Sequence, residues 1–118
     1  MKYEFTGQSR TVNGVTVRQI KRISDGLIGG WIESEKNLDQ NGDCFIYDNA
    51  VVYGEALVFG NARVSGYALV YGNALVSDDA WVYGNAMVSD DAWVYDNARV
   101  YGNAVVYGNA WVYGNAIV

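Results

Sequence analysis

The chain has 118 residues, of which 51% are hydrophobic and 14% aromatic, with a formal net charge of −5 and no histidine. A chain of this length holds one domain. The acidity lies in residues 41–118, where two Arg stand against eight Asp and Glu, so this part does not attract nucleic-acid phosphates through charge. No apolar run is long enough to span a bilayer and no signal peptide is present. We therefore expect a soluble, cytoplasmic protein that binds neither a membrane nor nucleic acid directly.

Residues 1–40 are typical of a β-hairpin and its connections. Lys2–Phe5 can form a strand, and Asn13-Gly14 lies between two β-branched runs, which is a strong hairpin signal. Gly29-Gly30 then interrupts the strand pattern. Since the end of a stack of strands exposes unpaired edges, we predict that residues 1–40 form an N-terminal β cap leading into the first coil of a repeat domain, residues 41–118.

From residue 47 to residue 118 the chain is one six-residue unit written twelve times. The first unit, residues 47–52, reads YDNAVV, and the last, residues 113–118, reads YGNAIV. The fourth place is Ala and the sixth place is Val in every unit. A fixed short period of this kind predicts a repeat fold in which each unit packs on copies of itself.

Alternation within the unit predicts a short strand followed by a corner. Ala and Val lie two residues apart and point to one side of an extended strand, while the fifth-place residue between them points to the other. The fifth place accepts Arg, Met and Trp, so we expect it outside, with all twelve Ala and all twelve Val inside. The Gly, Asp and Asn residues between strands favour turns because they accept positive φ or bond to their own backbone.

Three units per coil give an all-β fold, a triangular β-helix with 18 residues in each coil. A flat array of hairpins is the competing architecture, but a small Ala at a fixed place favours a narrow closed coil. Unit 41–46 follows the pattern, with Cys44 as a small core residue. Leu38 and Ile32 keep the same spacing further back, so we expect winding to begin near Trp31. The predicted full coils are 47–64, 65–82, 83–100 and 101–118.

Residues 29–38, GGWIESEKNL, and residues 42–50, GDCFIYDNA, resemble the start of the YdcK-like hexapeptide-repeat proteins of enterobacteria and their phages. In that family a GGWIESE-like segment leads into tandem xVYGNA units. The resemblance covers nearly the whole chain and implies a left-handed β-helix of four to five coils. The family is often labelled as transferases by analogy with hexapeptide acyltransferases, and a shared fold is weak evidence for a shared function.

The residues argue against catalysis. Acyltransferases that resemble this fold use a His general base, commonly with an extruded loop that holds acyl-CoA, whereas this chain has no His and its twelve units are uninterrupted. The same absence removes the three-His zinc site of γ-class carbonic anhydrases. We therefore expect no enzymatic activity, no cofactor and no metal. The acid pairs Asp78-Asp79 and Asp90-Asp91 are interpreted as solvated turn residues rather than Ca²⁺ ligands.

The 18-residue period stacks the outward residues in three columns. Two of them are wholly apolar, which exceeds what a small monomer usually exposes. In the other, two guanidinium groups can stack on an indole. The columns are Arg63, Trp81 and Arg99; Leu57, Leu75, Trp93 and Trp111; and Val51, Leu69, Met87 and Val105. The predicted interaction surface consists of Arg63, Trp81, Arg99, Leu75, Trp93 and Trp111.

We therefore expect a non-catalytic β-solenoid scaffold that binds another copy of itself or a host protein, with a phage or prophage origin implied by the resemblance. The alternative is an acidic decoy that occupies a nucleic-acid-binding host protein through stacked carboxylates, such as Asp78 above Asp96. An acyltransferase-like enzyme is the least favoured interpretation. Ionic strength distinguishes the scaffold from the decoy, because apolar association persists at high ionic strength while carboxylate-driven capture weakens.

The sequence also predicts a homo-oligomer. Val118 closes the last coil and no cap follows it, so we expect Val106, Val112 and Val118 to make an end-to-end contact with a second copy. A dimer formed in this way, or by side-by-side packing of Trp93 and Trp111, is the first expectation. A trimer packed along its faces, common for proteins resembling this fold, is the second.

Overall fold

The computed structural model describes residues 1–118 and contains fifteen β-strands and one 3₁₀ turn, Glu35–Asn37. None of its helical segments is long and apolar enough to cross a membrane. Three longer strands come first, and twelve two-residue strands follow at intervals of six residues. The strands are β1 Tyr3–Val12, β2 Val15–Arg22, β3 Ile28–Ile32, β4 Phe45–Ile46, β5 Val51–Val52, β6 Leu57–Val58, β7 Arg63–Val64, β8 Leu69–Val70, β9 Leu75–Val76, β10 Trp81–Val82, β11 Met87–Val88, β12 Trp93–Val94, β13 Arg99–Val100, β14 Val105–Val106 and β15 Trp111–Val112.

The short strands form the three sides of a triangular coil. Each pairs in parallel with the strand 18 residues away, so that Trp81 lies between Arg63 and Arg99. One side is β5-β8-β11-β14, the second is β4-β7-β10-β13 and the third is β6-β9-β12-β15. A hairpin array would pair consecutive short strands antiparallel, so the parallel 18-residue register confirms the predicted β-helix and excludes the flat array.

The core is a stack of Ala and Val side chains inside the coils. The nine Ala from Ala50 to Ala98 and the nine Val from Val52 to Val100 have no exposed surface. The prediction that all twelve of each lie inside is wrong for the last coil, where Ala110 and Ala116 are exposed and Val118 keeps 45% of its surface. An inward side chain is buried only when coils pack on both sides of it, and residues 101–118 have a neighbouring coil on one side.

The corners of the coil use the left-handed backbone conformation at the second place of each unit. Asp48, Asp78, Asp90 and Asp96 hold φ between 57° and 60° where most units have Gly. Each of these carboxylates accepts the backbone N–H of the residue 18 positions later, as from Asp96 N to Asp78 Oδ2 at 3.1 Å. The hydrogen bond offsets the strain that positive φ causes in a residue with a Cβ. The turn acids therefore tie successive coils together, which sequence reasoning missed.

The first coil is two residues longer than the others. Ile32 pairs with Val52 and Leu38 with Val58, in both cases 20 residues apart, whereas Phe45 pairs with Arg63 at the regular 18. The predicted start of winding near Trp31 is confirmed, because Trp31 pairs in parallel with Val51, but the expectation that the same spacing continues from Leu38 to Cys44 is wrong. The corner between Leu38 and Cys44 contains the two additional residues. With this coil, the molecule has five.

The N-terminal segment forms the predicted hairpin. β1 and β2 pair antiparallel around Asn13 and Gly14, which both have positive φ, as a two-residue hairpin turn requires. β2 then pairs antiparallel with β3, and β3 pairs in parallel with β5, so the hairpin extends one side of the coil. Tyr3 and Ile20 belong to the same core cluster as the coil valines. The hairpin thus covers the first coil.

Tyr3 fixes the hairpin to the first coil through its buried hydroxyl. The hydroxyl donates to the carbonyl oxygens of Glu35 at 3.2 Å and Leu38 at 3.1 Å. Burial, with a smaller contribution from the negative charge of Glu35, raises the pKa of Tyr3 to about 12. The neutral, hydrogen-bonded form of this side chain is therefore part of the folded structure.

The tip of the hairpin bends over the outside of one side of the coil. Val17 and Val51 are fully buried against each other there, and Tyr53 is 8% exposed beside them. Asn13 donates to the Tyr53 hydroxyl at 3.1 Å. The expectation that every fifth-place residue lies outside is therefore wrong at Val51, because the hairpin covers the N-terminal end of its column.

Candidate interaction surfaces

Arg63, Trp81 and Arg99 form one continuous outer surface, which we call the arginine strip. The three residues are direct lateral neighbours on β7, β10 and β13. The Arg63 guanidinium carbon lies 4.7 Å from the Trp81 ring centroid, and that of Arg99 lies 5.9 Å from it. Both distances are within the range of cation–π attraction. The predicted cation–π column is confirmed.

The column continues towards the hairpin with a further ring and a further cation. Phe45 is the lateral neighbour of Arg63, and the Arg22 guanidinium lies 5.2 Å from the Phe45 ring. Arg22 is held by two hydrogen bonds to Asp25, at 3.1 and 2.7 Å, which raise the pKa of Arg22 and lower that of Asp25 to about 2. This cation is satisfied within the chain.

Arg63 and Arg99 are different, because both are exposed and neither has a carboxylate partner. The three ion pairs of the molecule involve Lys21, Arg22 and Lys36, and no side-chain hydrogen bond uses either strip guanidinium. A guanidinium presents five N–H donors in a planar fork that suits carboxylates. The strip therefore carries two positive charges whose hydrogen-bonding capacity is free for a partner.

A hollow of about 270 Å³ adjoins the strip on the side of the next corner. It is lined by Tyr47, Asp48, Arg63, Ser65 and Trp81. The Asp48 carboxylate is turned to the backbone N–H of Gly66, at 3.0 Å. Aromatic rings, a free guanidinium and a hydroxyl thus meet in one concave place, where a partner side chain can be enclosed.

Trp81 and Trp93 are anchored by a contact that sequence reasoning missed. The indole N–H of Trp81 donates to Ser65 Oγ, and that of Trp93 donates to Ser77 Oγ, both at 2.9 Å. Ser65 and Ser77 occupy the first place of the unit, where most units have Tyr, and each indole fills the space that a Tyr would take. A Ser sixteen residues before a Trp was the sequence signal for this contact.

Trp111 has no Ser at the corresponding position and is more exposed than Trp93. Sixteen residues before it stands Tyr95, and the Trp111 side chain is 62% exposed, whereas Trp93 one coil earlier is half-buried. The Tyr95 and Tyr113 rings stack with centroids 5.5 Å apart, and Trp93 packs on Tyr95 at 4.5 Å. The exposure of Trp111 thus has two causes: a Tyr stands where Trp81 and Trp93 have a Ser, and no further coil packs on β15. The indole packs edge-on against Trp93 at 6.0 Å and Tyr95 at 6.5 Å.

The six predicted surface residues lie on two sides of the coil. Leu75, Trp93 and Trp111 are lateral neighbours on β9, β12 and β15, and the arginine strip occupies the next side along the chain. Leu75 and Trp93 are half-buried. The register of the second column is confirmed, but most of its apolar area is covered by its own neighbours. The arginine strip is the more accessible of the two.

The valines predicted for an end-to-end contact are unequally accessible. Val106 is 5% exposed, Val112 is half-buried and Val118 is 45% exposed. They lie on different sides of the last coil. An end-to-end contact through them stays a prediction.

Cys44 lies at the inward place of the first coil and is completely buried. The Lys2 ammonium lies 3.1 Å from its sulfur and donates to its carbonyl oxygen at 2.6 Å. Burial raises the pKa of the Cys44 thiol in spite of this ammonium group. A buried thiol of this kind serves packing.

Two acidic surfaces lie at corners of the coil. One surrounds a hollow of about 490 Å³ lined by Gly, Asn and Asp only, including Asp78, Asp79 and Asp96. The other, which we call the acidic edge, consists of Glu55, Asn73 and Asp91, all exposed and 18 residues apart. Within the acidic edge Asn73 donates to Asp91 Oδ1 at 3.3 Å, and Lys36 contacts Glu55 at 2.8 Å.

Comparison with known proteins identifies the repeats. The family model described as the YdcK β-solenoid repeat matches residues 56–72, 68–84, 80–96, 92–108 and 98–114. Together these matches span residues 56–114, which is 59 of the 118 residues. A relative from Escherichia coli (strain K12), named "Uncharacterized acetyltransferase YdcK", is 47% identical over 51 residues. That alignment covers 37% of this chain and 16% of the relative, so the chain corresponds to a small part of it.

Proposed function

This chain belongs to the YdcK β-solenoid repeat family, and we propose that it is a non-catalytic scaffold that associates with other copies of itself through its outer surface. The observation that carries the proposal is the arginine strip, in which two guanidinium groups without partners flank a Trp anchored by Ser65. Arg, Trp and Tyr are the residues enriched at the energetic centres of protein interfaces. The coil fixes the backbone of all three residues, so little backbone entropy is lost on binding.

The name of the E. coli relative concerns a protein of which this chain covers 16%, and its activity does not transfer by itself. A general base for acyl transfer would have to be Asp, Glu, Tyr or Lys here, because the chain has no His. In the repeats, Asp48, Asp78, Asp90 and Asp96 already accept backbone N–H groups. The concave places at the corners are open and lined by Gly, Asn and Asp or by the strip. These features support a non-catalytic role.

The acidic decoy is the weaker candidate because the carboxylates that it needs already accept backbone hydrogen bonds. Asp78 and Asp96, the stacked carboxylates that favour it, each use one oxygen to bind the following coil. A decoy depends on carboxylates that are free to imitate phosphates. The scaffold depends on Arg63 and Arg99, whose donors are free.

The test measures assembly and ligand binding with the same untagged protein. Sedimentation equilibrium should give a mass that is a multiple of the 13.0 kDa chain at about 100 µM, the range in which even weak self-association is populated. Calorimetric titration with acetyl-CoA should give no saturable heat. A monomer mass would refute self-association, and saturable heat with acetyl-CoA would refute the non-catalytic role.

A further inference from the structure

We propose that the arginine strip of one copy binds the acidic edge of a second copy, with the two coil axes parallel and the coils at the same height. The inference rests on the proposed self-association and specifies which two surfaces are in contact. Arg63 would contact Glu55 of the other copy, Arg99 would contact its Asp91, and Trp81 would face its Asn73. The assignment follows from spacing, height and position around the coil.

The two surfaces have the same spacing. Arg63 and Arg99 are two coils apart with Trp81 between them, and Glu55 and Asp91 are two coils apart with Asn73 between them. Coils that pair as parallel strands are about 4.8 Å apart, so both pairs of charges are separated by about 9.6 Å. Two charged contacts can therefore form together without bending either solenoid.

The two surfaces also have the same height along the axis. Glu55 and Arg63 belong to the coil 47–64, and Asp91 and Arg99 belong to the coil 83–100. A shift of one copy perpendicular to the solenoid axis keeps equal coils at equal heights. Asp79 belongs to the coil in between, so it stands level with Trp81 and not with either Arg. Among the exposed corner acids, the Glu55 and Asp91 pair matches both arginines at once.

The two surfaces lie on opposite sides of the triangle. The corner with Glu55 and Asp91 separates the side of β5, β8 and β11 from the side of β6, β9 and β12, and the strip occupies the remaining side, facing that corner across the coil. One copy therefore presents the strip to one neighbour and the acidic edge to another. Because the two surfaces face opposite directions, successive copies are related by a shift with almost no rotation, so this head-to-tail contact continues as an open row and does not close into a ring.

The contact brings free positive charges of one surface to accessible negative charges of the other. In the free chain, Arg63 and Arg99 lack partners and the Asp91 carboxylate is met only by the amide of Asn73. Glu55 is paired with Lys36, but both side chains are more than half exposed, and an exposed pair of this kind is easily exchanged. Because each copy has a net charge of −5, two copies repel one another overall. The two strip arginines are therefore the main source of attraction between them.

The test uses charge reversal and its compensation. Arg63→Glu with Arg99→Glu makes the strip repel the acidic edge, and Glu55→Arg with Asp91→Arg makes the edge repel the strip. Each double variant should weaken self-association at least about a hundredfold by sedimentation equilibrium, because both charged contacts become repulsive. All four substitutions together keep the net charge at −5 and should restore self-association. The matched control is Asp43→Arg with Asp79→Arg, which adds the same charge as the edge variant at the corner that borders the strip, away from the acidic edge, and should not weaken association.

Three outcomes would overturn the inference. A strip double variant that associates like the native protein would show that other surfaces meet, while native self-association would keep the proposed function standing. A fourfold variant that folds with native circular dichroism and stays monomeric would show that the two surfaces are not partners. A native protein that is itself monomeric would remove the proposed function as well. A second measurement applies to the unmodified chain: raising NaCl from 0.05 to about 1 M should weaken association at least about tenfold, since screening shortens the reach of exposed charges. This differs from the salt-resistant apolar association expected from the sequence, because Leu75 and Trp93 are half-buried and the exposed strip carries the contact.

Discussion

Replacing Ser77 with Tyr tests the packing between corner residues and the next coil. Tyr is the commonest residue at the first place of the unit, so a substitution towards the repeat consensus would ordinarily be expected to stabilise. The structure predicts the opposite, because the indole of Trp93 occupies the space beside Ser77 and donates to its hydroxyl at 2.9 Å. The Tyr ring would occupy the same space and displace the indole.

The size of the effect follows from three contributions. Loss of the hydrogen bond from the Trp93 indole costs about 1 kcal/mol. If displacement exposes roughly 70 Å² of the indole, a further loss of about 1.8 kcal/mol results at 25 cal/mol per Å². Stacking of the new ring on Tyr95 returns about 1 kcal/mol. The net destabilisation is about 2 kcal/mol, which for an unfolding entropy of about 0.25 kcal/mol/K lowers Tm by about 8 °C.

The assay is thermal unfolding followed by circular dichroism, with tryptophan fluorescence and acrylamide quenching, to which Trp93 contributes as one of four Trp, as additional probes. The matched control is Ser89→Tyr, because Val105 stands sixteen residues after Ser89 and no indole fills the space. It should cost less than Ser77→Tyr. The double variant Ser77→Tyr with Trp93→Leu recreates the Phe59 and Leu75 arrangement and should recover most of the lost stability. A Tm for Ser77→Tyr at or above that of the native protein would refute the packing argument.

Three further predictions concern the core, the hairpin and the corners. Val88→Ala should cost about 2 to 3 kcal/mol in chemical denaturation because Val88 is fully buried, whereas Val118→Ala, at 45% exposure, should cost less than about 1; equal costs would contradict the burial pattern. Since Tyr3 has a folded pKa of about 12 against an ordinary 10.0, its contribution to stability is complete below about pH 10 and is lost as the pH rises towards 12, and Tyr3→Phe should flatten this part of the stability profile. Asp78→Ala should destabilise by about 1 to 2 kcal/mol through positive φ and a lost hydrogen bond, while Asp78→Gly should cost less because it loses only the hydrogen bond; a cost for Gly equal to or above that for Ala would contradict the strain argument.

The sequence predicts the fold well because the repeat imposes it. Invariant Ala and Val two places apart determine which side of each strand is inward, and the 18-residue coil places Arg63, Trp81 and Arg99 in one column. The hairpin around Asn13 and Gly14 follows from turn chemistry alone. Each of these features depends on contacts within a unit or between identical units, where local pattern and global fold agree.

The remaining features depend on contacts between unlike parts of the chain. The hairpin tip covers Val51 because Val17 is apolar on the side that meets it, and nothing in the repeat period shows where the tip bends. The longer first coil arises from two additional residues between Leu38 and Cys44, where the unit pattern is absent. In the sequence, Asp78 has the features of an ordinary solvated turn acid. Its hydrogen bond is formed with a backbone N–H of the next coil, which the unit pattern does not show.

The three-sided coil also determines how chains of this kind can change in length. Each coil offers the next the same Ala and Val cross-section, so insertion or deletion of 18 residues adds or removes one layer of about 4.8 Å and leaves every column intact. A change of one six-residue unit is different, because it turns everything that follows by one side. If it fell between Trp81 and Arg99, the guanidinium would move to the side occupied by Trp93 or by Met87, and the strip would be divided. Divergence by whole coils preserves the outer surface, and divergence by single units redistributes it.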